Sequence, residues 1–158
     1  QYGIAVPGGV EHVALTAKIH HQVGHGLIGL DFLDTFNSVR RKPMLEELQR
    51  RAPGLAPFVA KCYGGQPAEA SFTMESGEKR VVPSKTGVRQ GDALVPSLFC
   101  VPLGTVLQKT RAVNESKGVE LFTYMHDMGM VLRELTAQNV QAVSFLREES
   151  GAIGMILN

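Results

Sequence analysis

Two acidic side chains stand where carboxylates could bind a metal ion. Asp31 comes near the end of the apolar run LIGLDF, residues 27–32. Asp127 lies in the polar centre of LFTYMHDMGMVL, residues 121–132, whose two apolar halves predict a β-hairpin. Two adjacent carboxylates on such a tip would offer a divalent cation hard oxygen ligands, but the residue before Asp127 is His126. Taken alone, an Asp at the end of a strand is more often a turn cap or a solvated acid.

The rest of the chain predicts the elements that would position these acids. Apolar residues near a 3.6-residue period predict helices at residues 10–19, 43–51, 55–63, 96–109 and 136–149. Short apolar runs between turn residues predict strands at residues 27–32, 70–74, 79–82, on both sides of the 121–132 tip and at 152–158. This order predicts an α+β fold, with helices covering one side of a mainly antiparallel sheet. If the strands that carry Asp31 and the tip are neighbours, the acids meet at one edge.

Composition limits the class of protein. The chain has 158 residues, of which 44% are hydrophobic and 20% charged, so we expect one globular domain with a sizeable core. No apolar run approaches the roughly 20 residues of a membrane span, and we expect no membrane partner. The formal charge of +1 does not by itself indicate nucleic acid. Cys62 and Cys100 lie in apolar helical segments, which predicts reduced core thiols of an intracellular protein.

Two other groups of polar residues have a simpler interpretation. His20, His21 and His25 are a weak pattern for a metal site, and the glycines around His25 favour a solvated helix end. Five basic residues near the next helix favour a solvated helix face, with contact to phosphate as the alternative. They are Arg40, Arg41, Lys42, Arg50 and Arg51.

Three segments together resemble the palm of reverse transcriptases, most closely those of non-LTR retrotransposons. They are GLIGLDFLDTFNSVRR (residues 26–41), SKTGVRQGDALVPSLF (residues 84–99) and the tip segment LFTYMHDMGMVL. The opening QYGIAVPGG and the closing IGMILN fit the flanks of that palm. The resemblance implies a palm-like antiparallel sheet with a ferredoxin-like core. It also implies that residues 1–158 are a single domain cut from a longer polyprotein, without its fingers and thumb segments.

The resemblance assigns roles to particular residues. In the family, two magnesium ions activate the primer hydroxyl and neutralise the leaving pyrophosphate, while an RNA template and a DNA primer are bound beside the incoming dNTP. By resemblance, Asp31 and Asp127 are metal ligands and, with His126, occupy the catalytic positions. The backbone from Phe32 faces the triphosphate, and Phe36 lies under the incoming sugar. The glycine-containing loop in residues 84–99 contributes Gln90 and Gly91, which lie along the template base and the nascent pair. In the same loop, Lys85 and Arg89 reach phosphates.

His126 is the main departure from the family pattern, because the family has an aspartate at this position. A neutral imidazole suits zinc or copper better than magnesium. At about 4 Å and an effective dielectric near 20, one charge–charge interaction is worth about 4 kcal/mol, and a divalent ion doubles it. We therefore expect this copy to be impaired in catalysis. Ala93 and Val95 also differ from the family's usual Pro and Ser, and Pro102 interrupts the predicted helix.

Other functions remain open at this stage. The chain could be a working polymerase that tolerates His126, or a non-enzymatic nucleic-acid-binding or protein-interaction domain derived from a retired palm. A ferredoxin-like or RNA-recognition-motif domain is a further alternative, and it should show aromatic residues on one sheet face. Phe122 and Tyr124 are the candidates, and we expect them on different faces.

Overall fold

The computed structural model describes residues 7–65 and 68–158, so residues 1–6 of the family-like opening lie outside its description. The helices are α1 (Gly9–Gln22), α2 (Thr35–Ser38), α3 (Arg41–Arg51), α4 (Ala56–Tyr63), α5 (Val95–Asn114) and α6 (Ala137–Ala152). The strands are β1 (Gly26–Leu30), β2 (Phe32–Leu33), β3 (Ala68–Thr73), β4 (Lys79–Ser84), β5 (Val119–Tyr124), β6 (Asp127–Leu132) and β7 (Ile156–Leu157). The predicted element order is confirmed, with β2 and α2 as short additions.

The central sheet has three antiparallel strands in the order β1-β6-β5. The β1–β6 register runs from Gly26↔Leu132 to Leu30↔Met128, and β5 and β6 form a hairpin closed by Tyr124↔Asp127. Two separate ribbons pair β2 with β7 and β3 with β4. The expected α+β class and palm-like antiparallel sheet are confirmed, and the strand before Asp31 is a neighbour of the tip hairpin.

One face of the sheet builds the hydrophobic core. Side chains alternate between the two faces of a strand, so Leu30, Met128 and Met130 share a face. They belong to one buried cluster with Phe99 and Leu103 of α5, both of which are fully buried. Burying side chains of this size stabilises the fold by about 1.5–3 kcal/mol each. Helices α3 and α6 contact α5 and complete this layer.

Helix α1 contacts β1, β5 and β6 at the end of the sheet remote from the tip. Val131, which alternates away from the core side, is fully buried there. At the same end His20 Nε2 of α1 lies 3.5 Å from Glu120 Oε2 of β5. The part of this face nearer the tip is therefore the part that a ligand could reach.

Phe122 and Tyr124 share that second face, so the expectation that they alternate is wrong. Positions two apart on a strand point the same way, and their cross-strand partners are Gly129 and Asp127. The ring of Phe122 covers Gly129 so closely that a Cβ there would lie 2.0 Å from Cζ. A side chain at position 129 would therefore displace the Phe122 ring.

Several helical predictions need correction. Cys62 is exposed, whereas Cys100 is buried as expected. Val10, Ile19 and Val140, which belong to the apolar periods that predicted the first and last helices, are each about half exposed, because packing partners rather than apolar period decide which face is covered. Helix α5 continues through Pro102 to Asn114 instead of ending near residue 109. Within the described ranges, no helix combines the length and apolar character needed to cross a bilayer.

Candidate active site

The two candidate metal ligands lie at the ends of adjacent strands: Asp31 directly follows β1, and Asp127 begins β6. Carrying the β1–β6 register one residue beyond Leu30↔Met128 places Asp31 opposite Asp127, on the face that also bears Tyr124. Both acids are exposed. Asp31 Oδ1 accepts a 2.8 Å hydrogen bond from the N–H of Phe32, and its carbonyl accepts one of 2.9 Å from the N–H of Asn158. The closing β7 segment thus fixes the backbone at Asp31.

The hairpin tip is a two-residue turn formed by Met125 and His126, between the paired Tyr124 and Asp127. Met125 has φ of 55°, a left-handed conformation that glycine adopts more easily than a residue with a side chain. Such strain costs on the order of 1–3 kcal/mol and persists only where the surroundings impose it. The tight pairing of β5 and β6 imposes it here and fixes where His126 and Asp127 stand.

His126 packs against an aromatic side chain instead of joining a carboxylate pair. Its ring lies edge-on to Phe36, with centroids 5.6 Å apart, and Phe36 is in turn edge-on to Phe99 at 5.4 Å. His126 Nδ1 is buried and has no hydrogen-bond partner, while Nε2 lies 3.9 Å from Asp127 Oδ1. The imidazole is therefore held between an apolar neighbour and the one carboxylate of the tip.

No third ligand joins the two acids in the part of the chain that the structure describes. There, no group of three or more His, Cys, Asp or Glu side chains is placed to hold a metal ion. Asp34, three residues after Asp31, is exposed and has φ of 48°. Its Oδ1 accepts a 2.7 Å hydrogen bond from Asn37 Nδ2, so this carboxylate serves the turn into α2.

The glycine-containing loop after β4 is fixed against the segment that follows Asp31. The N–H of Gly87 donates to Val39 O and that of Val88 to Phe36 O, both at 2.8 Å. Gly87 has φ of 70°, and a Cβ there would lie 2.5 Å from backbone atoms of Asn37. Two constraints therefore require glycine at this position: the left-handed backbone conformation and the lack of space for a Cβ atom.

Arg41 holds the start of this loop with its whole guanidinium group. Nε donates to Gly87 O at 2.9 Å, Nη1 to Ser84 O at 2.6 Å, and Nη2 to Ser84 Oγ at 2.8 Å and Thr86 O at 3.0 Å. The guanidinium also stands 5.5 Å from the ring centre of Tyr63. Burial, followed by the charge of Arg89, lowers the pKa of Arg41, although arginine stays charged.

Tyr63 connects α4 to the far side of the loop. Its hydroxyl donates to Asp92 Oδ2 at 2.9 Å and accepts from the N–H of Arg89 at 3.3 Å, and the Arg89 guanidinium lies 5.7 Å from its ring centre. Burial raises the pKa of Tyr63. Asp92 also accepts from the N–H of Leu94, and this bond, with that from Tyr63, lowers the pKa of Asp92. These contacts leave Arg89 and Gln90 exposed on a fixed backbone.

Sequence reasoning located the loop but missed the residues that fix it. Arg41 is half-buried and bonded to four acceptors, so its assignment to a solvated helix face is wrong. Nothing in its type distinguishes it from the exposed Arg40 and Lys42 beside it. Tyr63 had no signal beyond its place in an apolar helix, since its partners lie 26 and 29 residues further along the chain.

Comparison with known proteins agrees with this arrangement. A family model described as "Reverse transcriptase (RNA-dependent DNA polymerase)" matches residues 1–158. No curated protein matches the sequence significantly. Among solved structures, apo telomerase from Candida tropicalis, truncated from the C-terminal domain, is similar with a TM-score of 0.67 and 12% sequence identity. The match covers 99% of this chain and 34% of that one, so the chain spans about a third of its length. The chain belongs to the reverse transcriptase family.

Proposed function

We propose that the chain is part of the reverse transcriptase of a retroelement, of the non-LTR retrotransposon type, and that its own nucleotidyl-transfer site is impaired. The observation that supports this proposal is the β1–β6 register, whose last pair, Leu30↔Met128, stands next to Asp31 and Asp127, while a histidine occupies the preceding tip position. Family membership suggests nucleotidyl transfer as the reaction. The histidine in place of a tip carboxylate is the reason we expect that reaction to be impaired.

The residues present fit the family's divalent metal ions only in part. Asp31 and Asp127 offer exposed oxygen ligands from neighbouring strands, which is the donor type that magnesium prefers. His126 does not fit, because it is a nitrogen donor with Nδ1 buried and its ring packed against Phe36. We therefore assign no metal-dependent step to this chain as it stands.

The substrate-facing roles follow the same proposal. A DNA primer and an RNA template would lie on the open sheet face beside the acids, with the dNTP between the tip and the glycine loop. Arg89, Gln90 and Gly91 are exposed on the loop that Arg41 and Tyr63 fix, which supports contact with the template–primer pair. The buried ring of Phe32 leaves only its backbone for the triphosphate. The half-buried ring of Phe36 borders the same space beside His126.

A primer-extension assay tests the proposal. Two chimeric polymerases that supply fingers and thumb would carry this chain with His126 or with His126→Asp, and each would be assayed with magnesium and with manganese. We expect the aspartate version to extend primers at least about a hundredfold faster in magnesium, since a few kcal/mol separates the two sites. Manganese should reduce the difference in extension rate between the two versions, because it accepts nitrogen ligands more readily than magnesium does.

One result of that assay would contradict the proposal, and a second would show that His126 is not the sole cause of the impairment. Equal extension by both versions would mean that another acid, such as Asp34, has replaced the missing carboxylate. Failure of both versions would locate the damage elsewhere, with Ala93, Val95 and Pro102 as the remaining departures. A paramagnetic probe provides a readout without activity: Mn²⁺ should broaden the amide signals of Asp31 and Asp127 more strongly in the His126→Asp chain.

The second candidate is a non-enzymatic domain that retains the palm fold. The observation that favours it is the combination of a tip lacking one carboxylate with a net charge of only +1. Tight nucleic-acid binding depends on many phosphate contacts, so we expect the isolated chain to bind a primer–template duplex weakly. Fluorescence anisotropy at two salt concentrations checks this, and tight, steeply salt-dependent binding would contradict it.

A further inference from the structure

Two histidines beside the end of helix α1 meet through their ring nitrogens. Nδ1 of His20 lies 2.8 Å from Nδ1 of His25, and the ring centres are 5.1 Å apart with the planes tilted by 30°. The distance between the centres equals the Nδ1–Nδ1 separation plus the radii of the two rings, so both nitrogens lie close to the line that joins the centres. This is the geometry of a hydrogen bond in which one nitrogen donates and the other accepts.

The pair joins three elements of the fold. His20 lies in the last turn of α1 and His25 directly precedes β1, and the N–H of His25 donates to His20 O at 3.0 Å. Nε2 of His20 lies 3.5 Å from Oε2 of Glu120 on β5. Both rings are half-buried, so the expected solvated helix end describes His21, which is exposed, rather than His20 or His25.

Apart from this pair, helix α1 is lightly attached to the sheet. Among residues 9–22, all of which the structure describes, Gly9 alone is buried. Leu15 and Ile19 are 56% and 50% exposed. Segments with few buried side chains open locally at a lower free energy than the core does. A change at the histidine pair can therefore release this end of the helix while the rest of the fold persists.

The charges around the pair accommodate one added proton but oppose a second. Glu120 of β5 faces His20, Arg133 of β6 donates to the same carboxylate, and β1, with the sequence GLIGL, carries no charged side chain. The hydrogen bond from Arg133 is the main cause that lowers the pKa of Glu120, so this carboxylate stays ionised where histidine titrates. Because Glu120 is already paired with Arg133, it offsets at most one further positive charge.

The number of protons on the two rings decides whether the hydrogen bond exists. With one added proton, a single hydrogen still lies between the two Nδ1 atoms, and the positive charge faces Glu120. With two added protons, each Nδ1 carries its own hydrogen, neither nitrogen can accept, and two cations stand 5.1 Å apart. The contact is then repulsive, and it lies at the point where α1 turns into β1.

We propose that His20 and His25 form a pH-sensitive latch, which holds the C-terminal end of α1 on the sheet until both rings are protonated. Release uncovers the part of the second sheet face around Val131, at the end remote from the tip. The latch involves neither Asp31 nor Asp127, so its test is independent of the primer-extension assay.

The test is an NMR titration of the full 158-residue chain from about pH 7.5 to about pH 5. Ring ¹⁵N shifts report the protonation of each histidine, NOEs between His20 and Glu120 report the closed latch, and amide exchange reports its opening. We expect the NOEs to disappear when both rings become protonated. The protection factors of the amides of residues 23–25, which are bonded to α1 carbonyl groups, should then fall about tenfold or more.

Three controls separate release of the latch from other effects of acid. The amide of Val88, in the glycine loop, should keep its protection, because the rest of the fold stays intact. Asparagine places an amide group at about the position of histidine Nδ1 and does not titrate. His25→Asn should therefore keep the latch closed, with less than about a twofold change in protection across the pH range. His21→Asn, at the exposed neighbour, should leave the tenfold fall unchanged.

Three outcomes would overturn the proposal. The first, which needs no variant, is that the NOEs between His20 and Glu120 are absent at about pH 7.5 or still present at about pH 5. The second is a fall in protection in His25→Asn that equals the fall in the unaltered chain. The third is loss of the fall in His21→Asn, which would assign the pH dependence to the exposed ring.

Discussion

The hairpin tip and the glycine loop face the same proposed site but are held in very different ways. The loop is fixed by Arg41, Tyr63 and two backbone hydrogen bonds to the segment after Asp31. At the tip, His126 has one aromatic contact and one long contact to Asp127. Substitutions in the loop would therefore break several contacts at once, whereas a substitution of His126 would break few. The proposed loss of a tip carboxylate and survival of the fold are compatible for this reason.

Gly87→Ala is expected to have the largest effect. The new Cβ would lie 2.5 Å from the backbone of Asn37, in a left-handed conformation, so the loop must move away from the segment it is bonded to. We expect the free energy of unfolding to fall by about 3 kcal/mol or more. Gly91→Ala is the matched control, because its φ is 93° but its Cβ would meet nothing within 4 Å. Its loss should be about 1–2 kcal/mol in urea denaturation. Equal losses would show that contact with Asn37 does not hold the loop.

Arg41→Ala is expected to have the next largest effect. It removes donors to three carbonyl groups and to one hydroxyl, so we expect a loss of about 2–3 kcal/mol in the free energy of unfolding. Lys42→Ala, next along the chain and highly exposed, should cost less than about 0.5 kcal/mol. Arg41→Lys should recover less than half of the loss, because an ammonium group cannot reproduce the guanidinium fork. A similar cost for the Arg41 and Lys42 variants would refute the role given to Arg41.

Tyr63→Phe should cost about 1 kcal/mol at neutral pH, since it keeps the ring and removes the hydroxyl bonded to Asp92. The cost should depend on pH. The hydrogen bonds from Leu94 and Tyr63 hold the pKa of Asp92 below its ordinary value, so their stabilising effect is present above that value and is lost as pH falls through the folded one. The difference between the two proteins should therefore stay constant from about pH 7 down to about pH 4 and shrink below it. A difference that does not shrink in acid would mean that Asp92 is not the partner that matters.

His126→Asp is expected to have the smallest effect on stability, below about 1 kcal/mol, because the side chain is 35% exposed and forms few contacts. Amide chemical shifts should change near residues 125–127 and at Phe36 and remain constant in the glycine loop. A loss above about 2 kcal/mol would show that the histidine ring supports the fold and would remove the contrast between the two regions.

Local patterns were sufficient to predict the parts of the molecule that depend on neighbours in sequence. The β1 strand and the hairpin were visible as short apolar runs between turn residues, and the loop was visible as a segment rich in glycine and polar residues. The parts that depend on tertiary contacts were not visible. Cys62 lies in an apolar segment yet is exposed, and Arg41 lies in a basic segment yet is half-buried. In both cases the burial is decided by which element packs against the helix.

The limited contacts of His126 have a genetic consequence. Histidine and aspartate codons differ at a single base, and the His126 side chain is half-buried with Phe36 as its ring contact, so the exchange disturbs few neighbours. A single point mutation can thus exchange histidine and aspartate at this position while the chain continues to fold. Under the proposed function, an aspartate at this position in a related copy would mark a tip that keeps its carboxylate, whereas the loop around Gly87 would indicate only that the fold is kept.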